Sequence, residues 1–490
     1  MANARDNDFV IRIKNFNLGY APLTHLDSLT ELGDAAQASV MTNADIISIP
    51  NHLTQGPGLS TLTNGDDAGV VSELITFIMD RAVTSDITYA SGNTKLFQLS
   101  STAVTDSATW PRTITGAAGT TANPCAVIRV RANLYYFHNG ASTGNIGQFN
   151  LASTFDDDWG STVPTGAATL QVAPHPAATK EDIMVFGNGR YAGTYIDATT
   201  TLAPTKLDFG TDNQVDDVIF HANQWWLAVN AGVTGTNRTT SQVYLYDGSV
   251  TVSVLADEVA VGVQRIGFLY PLNGVVFIAY QDLSSDGGYK IGYISGRQIK
   301  ELRSFTGTLP NFAQKTLYKN TILFLANNVV WSAGSPIPTL PLQISQLADA
   351  GHSTAGAIAA PFGTPLISST QSTSYKIAKF SGYDTACTWK SIIFPIINGR
   401  YKGMIDWVIV RTKTMGANAS CALTLEVDQA SATSSSKTIT GTSTRYFKFN
   451  GFAIKWPRTD VRVALDWAGG NTINDCLIKE IILVGHYVKA

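Results

Sequence analysis

Charge is scarce in this chain. Asp, Glu, Lys and Arg make up 14% of its 490 residues, where an average soluble protein carries roughly 25%. The balance is near neutral, with 37 acidic and 34 basic residues and a formal net charge of -3. That excludes tight, sequence-independent binding of nucleic acid, which needs a dense basic face. Cysteine is equally sparse. Cys125, Cys387, Cys421 and Cys476 form no C-x-x-C pair and have no histidine at ligand spacing, so neither a zinc motif nor a disulfide framework is encoded. They read as small buried hydrophobes. No apolar run approaches the roughly 18 residues of a membrane helix. Met1 to Asp8 has no apolar segment of a signal peptide, so no membrane insertion and maturation in the cytosol are expected. Long helical periodicity is missing as well, which argues against a parallel βαβ sheet.

Hydrophobic residues reach 44%, enough for a sizeable interior, and the length calls for two or three domains. Thr, Ser, Asn and Gly fill the place of charge. Neutral polar surface suits a chain packed against copies of itself, although β-rich chains also use many Thr and Ser residues.

Three stretches differ in grammar. Residues 1–68 read as an extended arm that wraps over other domains or a neighbouring subunit. It holds a strand-like Phe9-Val-Ile-Arg-Ile13, a segment from Leu26 to Ala44 that tolerates a helical turn or two, and the turn cluster Thr54-Gln-Gly-Pro-Gly58. Over 69–382, an apolar strand, an Asn or Gly turn and a second apolar strand recur. Examples are Val127–Phe137, Ile183–Tyr191, Val218–Val229, Ile266–Ile278 and Thr316–Leu325, each a hairpin signal. The units repeat every 35–55 residues or so, bracketing the 40–50 or so of a four-stranded propeller blade. One blade cannot bury its faces alone, so the array must stack radially. Six or seven blades are expected, with a series of sandwiches as the alternative. Residues 383–490 read as an antiparallel β-sandwich, jelly-roll-like, with strands at Trp389–Ile397, Trp407–Thr412, Cys421–Val427, Arg445–Phe449, Val461–Leu465 and Leu477–Val484. Polar tracts such as Ala430–Thr444 are expected to separate them. The fold class is thus all-β: a propeller with an N-terminal arm and a C-terminal sandwich.

No motif carries chemistry convincingly, and no catalytic, cofactor-binding or metal-ligating residue is assigned. Gly140-Ala-Ser-Thr-Gly144 has the G-x-S-x-G pattern but lacks a following helix, so it reads as a hairpin loop. Asp156, Asp157 and Asp158 could contribute to a Ca²⁺ site but read as a solvated loop. Ser285-Asp-Gly-Gly-Tyr289 is a single incomplete sialidase-like box, and glycoside hydrolysis needs two placed carboxylates. The seven histidines show no i+2 or i+4 pair. Gly187-Asn-Gly189 reads as a turn, not a phosphate loop. Of Trp225 and Trp226, strand alternation points one inward and the other outward, where it could serve a subunit contact.

The arm resembles the opening of tailed-bacteriophage structural propellers, the nozzle and hub proteins of the tail. Asn15-Phe-Asn-Leu-Gly-Tyr-Ala-Pro-Leu23, Leu32 to Met41, Asn43-Ala-Asp45 and Gln55-Gly-Pro-Gly58 stand where that family has an N-F-x-x-G segment, an acidic-Ala stretch, an N-x-D strand and a Gly-rich turn. Leu18-Gly19 replaces the usual double Gly, and the basic residue near the Gly turn is missing. The resemblance implies a non-enzymatic virion protein, assembled in the host cytoplasm. It implies a homo-oligomeric ring, commonly of six, around the DNA channel. Its partners would be portal adaptor or tail tube proteins and tail fibres, with DNA only in transit. The alternative is a fibre or receptor-binding module reading a host surface glycan through Trp407 or Trp456.

Overall fold

The computed structural model describes residues 8–14, 16, 38–48, 52–64, 70–118, 123–232, 241–248, 256–282, 288–335, 342–349, 354–371, 374–384, 386–413, 420–428, 432–440, 446–450, 457–468 and 476–489. The fold is all-β. Among the described residues, seven sheets of four to six strands form a β-propeller, antiparallel except where Thr63–Asn64 joins the first, and two sheets of five and six strands form a sandwich.

Among the described residues the sandwich is built of nine longer strands, β1 (Asp8–Lys14), β2 (Ala38–Thr42), β3 (Ala386–Ser391), β4 (Tyr401–Thr412), β5 (Ser420–Val427), β6 (Ala432–Thr440), β7 (Tyr446–Asn450), β8 (Asp460–Ala468) and β9 (Ile478–Lys489), with the two-residue strands Phe394–Pro395 and Ile397–Asn398 beside them. One sheet runs β1-β9-β4 with β7 alongside β4, and the other runs β2-β3-β8-β5-β6. Period-two burial faces the sheets together. Phe9, Ile11 and Ile13 of β1, Cys421, Leu423, Leu425 and Val427 of β5, and Val461, Val463, Leu465 and Trp467 of β8 share one core. The run Trp389–Ile397 is not one strand. It breaks after Ser391 and resumes as the pair Phe394–Pro395, in register with Val461 and Asp460. The tract Ala430–Thr444, expected as a separator, contains β6, a polar edge strand whose Ile439 turns into the core.

The blades begin at Phe77, Val127, Ala177, Asn213, Arg265, Lys315 and Thr354. Four of the repeated units, Val127–Phe137, Val218–Val229, Ile266–Ile278 and Thr316–Leu325, are first hairpins of their blades, Ile183–Tyr191 is the second hairpin of the third blade, and the turns explain the grammar. Ala222–Asn223, Asn273–Gly274 and Lys319–Asn320 all have positive φ, the type I′ geometry that favours Asn and Gly and matches strand twist. The seventh blade takes its outer strand, Pro57–Thr61, from the arm, with Leu59 opposite Phe380 and Pro57 opposite Tyr383. Thr63–Asn64 then adds to the first blade.

The arm assigned to 1–68 is therefore no separate unit where it is described. It supplies an edge strand to each sandwich sheet and the closing strand of the propeller. Of the segment Leu26 to Ala44, expected to tolerate a helical turn or two, residues 26–37 lie outside the described residues and Ala38–Thr42 is instead the strand β2, paired with β3. The two domains also share a core. Leu323, Leu325, Val330, Leu347, Ile358 and Phe380 of the last blades pack in one cluster with Ile46, Ile47, Leu53 and the sandwich interior.

The seam is held at close range. Asn43 adopts φ 52°, and its Nδ2 donates to Asp384 Oδ2 at 3.0 Å. Asp45 Oδ1 accepts from Ile47 and Ser48 N at 2.7 and 2.8 Å. Gln55 Nε2 donates to Asp384 O at 2.9 Å. At Gly56 an added Cβ would lie 2.2 Å from Leu347 O and 2.4 Å from Asn43 O. Both obstacles are backbone and cannot swing aside. Gly56→Ala is expected to destabilise the protein by about 1–3 kcal/mol, read as a lower thermal unfolding midpoint of both domains together.

Candidate functional site

The inner strands of the blades surround a central channel with two chambers. One, of about 360 Å³, is lined by Phe77, Asp80, Asp217, Phe220, Tyr270 and Lys315 among others. The other, of about 330 Å³, is lined by Asp216, Arg265, Gln281 and Asn311 among others, and Phe312 borders both.

Bulges put acids here. Register shifts between Val215 and Asp217, and between Ile266 and Phe268, add a residue to the inner strands of the fourth and fifth blades. Asp216 and Asp217 then serve different chambers. Asp216 accepts from Asn230 Nδ2 at 2.5 Å and lies 3.8 Å from the Arg265 guanidinium. Asn230 in turn pairs with both the N–H and the carbonyl of Ile266 at 2.7 Å. Asp217 accepts from Leu269 N at 2.6 Å and from the ammonium of Lys315, which also donates to Leu269 O at 2.6 Å. Across the channel, Asp80 accepts from the Thr316 hydroxyl and, at 3.0 Å, from Ala360 N.

Burial sets the electrostatics. It raises the pKa of Asp216 and Asp80 above the usual carboxylate range, against the donors that hold their charged forms. It draws the Lys315 ammonium down, with Asp217 and Asp80 opposing. Each carboxylate is already engaged. The network staples blades four, five and six through Lys315, and blades one, six and seven through Asp80. Its chemistry is structural cross-bracing.

The residues singled out from sequence are scattered. Gly140 to Gly144 is the tight loop between strands Asn133–Asn139 and Gly144–Phe149, closed by Gly140 N donating to Thr143 O at 2.8 Å. The acid triplet is a solvated loop only in part: Asp158 is exposed and Asp156 half-buried. Asp157 is buried and accepts from the Tyr136 hydroxyl, from Arg112 at 2.7 Å and from Thr115 N at 2.9 Å, tying blade one to blade two. Trp225 packs against blade three, as an inward residue should. Trp226 is no free outward anchor, for it packs against the cluster shared with blade five. In a propeller both faces of a blade are covered by its neighbours. All four cysteines are buried and outside any disulfide. His138 Nε2 meets Asp157 O at 2.9 Å, and His175 Nδ1 donates to Gly187 O at 2.9 Å. Among the described residues no group of three His, Cys, Asp or Glu is placed to hold a metal, and no helix is long and apolar enough to cross a membrane. Ser285, His352 and Trp456 lie outside the described residues.

Sequence reasoning missed Asp80, Asp217 and Lys315. The available signal was Asp216-Asp217 set inside the apolar strand from Val215 to Phe220.

No protein-family model matches the chain, and no curated protein matches it. Among solved structures it is similar to the extracellular domain of a hybrid two-component system from B. thetaiotaomicron, with 15% identity and a TM-score of 0.45 over 74% of this chain. The chain spans 43% of that protein's length. It is also similar to an exo-β-1,3-galactanase from Phanerochaete chrysosporium, with 11% identity and a TM-score of 0.30, covering 88% of this chain and 100% of that one. Likeness at this level carries nothing about activity or partners.

Lys315→Met leaves the Asp217 carboxylate buried and uncompensated, and is expected to cost about 3–5 kcal/mol. Adding Asp217→Asn should recover much of that in denaturant unfolding; strictly additive losses would contradict the pairing. Burial lowers the pKa of His175 from 6.5 to about 4. Between those values the unfolded chain takes up a proton that the native imidazole refuses, so stability falls as pH drops from 6.5 towards 4. Unfolding midpoints of His175→Gln across that window should slope less steeply than those of the unmodified chain.

Proposed function

We propose that the chain is a structural protein of a tailed-bacteriophage virion, a ring-forming tail or neck component around the DNA channel. The observation that supports this most is where the family-like residues sit. Asn43, Asp45 and Gln55–Gly58 carry the resemblance, and they are the seam residues whose backbone shape, buried hydrogen bonds and lack of a Cβ weld propeller to sandwich. A motif held by architecture in this way fits a load-carrying part. Its partners would be further copies of itself, an adaptor or tube protein, and fibres, with DNA passing by a nearly neutral surface.

The channel supports a structural over a catalytic role. Glycoside hydrolysis needs one carboxyl free to protonate and another free to attack or activate water, whereas Asp216, Asp217 and Asp80 each hold protein donors. The glycan-reading alternative gains no support from Trp407, whose ring is covered by the Lys448 ammonium at 3.4 Å from its centroid. Native mass spectrometry of the purified chain, with antibody-labelled imaging of phage particles, tests the reading. A closed oligomer and label at the tail or neck are expected. A strictly monomeric chain absent from particles, or turnover of β-galactans, would overturn it.

A further inference from the structure

The larger chamber of the channel carries charge that the braces do not balance. The charged residues described along its wall are Asp80, Asp217 and Lys315, two carboxylates against one ammonium. Asp217 is saturated. Its Oδ1 accepts from Val218 N at 2.8 Å, and its Oδ2 from Leu269 N and from Lys315. Asp80 is filled on one side alone. The Thr316 hydroxyl and the Ala360 N–H both reach its Oδ1, and among the described residues no donor reaches its Oδ2. Asp80 is exposed where it lines the chamber, whereas Asp217 is buried.

Among the described residues no cation is in ion-pair contact with Asp80. Lys315 acts on it from a distance but is bonded to Asp217 and to Leu269 O. Lys180 lies 5.8 Å from the centre of the Phe220 ring and pairs with Glu181 at 3.3 Å. The blades around Asp80 keep its surroundings poor in solvent and raise its pKa, the mark of a carboxylate whose charge is incompletely met. A cation in the chamber restores the balance.

The walls decide which kind of cation. Phe77, Phe220, Tyr270 and Phe312 supply rings, and Leu317 and Ile358 supply aliphatic surface. A hard metal ion needs several oxygens around it, and one open carboxylate oxygen among rings does not provide them. An organic ammonium needs one acceptor for its N–H and an apolar place for its carbons, and aromatic faces attract its charge. The volume of about 360 Å³ lies at the small end of ligand pockets.

We infer that this chamber binds a small primary amine in its ammonium form, the nitrogen donating to Asp80 Oδ2 and the carbon body lying among the rings of Phe77, Phe220, Tyr270 and Phe312. The lining comes from blades one, three, four, five, six and seven, so the guest also ties the propeller together at its axis. The site goes beyond the structural reading above and stands whether or not copies close into a ring.

The probe is phenethylammonium, titrated calorimetrically into the full chain at neutral pH, with phenethyl alcohol as its neutral analogue. One site per chain is expected, with the alcohol bound roughly tenfold to a hundredfold more weakly, the worth of one hydrogen bond between charged groups. Asp80→Asn keeps an oxygen for the Thr316 hydroxyl and the Ala360 N–H, and should lose that same factor for the amine while leaving the alcohol unchanged. Leu317→Trp, at a lining position that is 43% exposed, should crowd out both probes. Bound amine should raise the thermal unfolding midpoint of the unmodified chain. No binding of the amine, equal affinity for amine and alcohol, or undiminished amine binding by Asp80→Asn or Leu317→Trp would overturn the site. Should Asp80→Asn fail to fold, the comparison of amine with alcohol and the Leu317→Trp chain decide the matter.

Discussion

The ladder between Pro57–Thr61 and Ser374–Tyr383 fastens residues more than three hundred positions apart, and the molecule is organised round it. A ring of blades has one gap wherever the chain enters and leaves. Here the gap is closed by backbone hydrogen bonds and by Leu59 against Phe380. Just before it, Thr54–Gln55 pairs with Ala44–Asp45 and Leu53 bridges Ile478 of the sandwich, so closing the propeller also fixes the second domain. The shared core of Leu347, Phe380, Ile46 and Leu53 follows from that. Neither body can tilt on the other without opening apolar surface, worth about 25 cal/mol per Å².

The few charges are used with economy. Lys315, Asp217, Asp80 and Asp157 are spent inside, as ties between blades. Sheet packing alone fixes how neighbouring blades twist against each other, but not their order across an empty centre. Short ionic and backbone contacts across the channel do that. In the sandwich, Glu426 holds Lys390 and Arg462 across three strands, and Asp428 holds Arg458. Against burial, which raises both, Lys390 and Arg462 hold the Glu426 carboxyl, and the Thr459 N–H with Arg458 the Asp428 carboxyl, below their usual pKa.

Much of the fold could be read from residues because its rules are local. An Asn-Gly pair at positive φ forces a hairpin whatever surrounds it, and Cys421-Ala-Leu-Thr-Leu-Glu-Val427 can bury one face only as a strand. What failed to show was non-local. Phe9 to Ile13 reads as a strand, but nothing in it names β9 as partner some 470 positions on. β6 was hidden because Ser and Thr look the same in a loop and on a polar edge. Asp157 looked solvated in its triplet because its donors, Arg112 and Tyr136, lie on other strands. The channel network was partly legible, since acids inside an apolar strand are costly unless paired. Its cation on another blade was not.

The propeller sits in the chain between the two halves of the sandwich. On the ribosome β1 and β2 emerge before the blades and β9 after them. The first strand therefore waits, without its ladder, while seven blades are made. A chain stopped within the propeller could complete blades yet would never raise the β1-β9-β4 sheet.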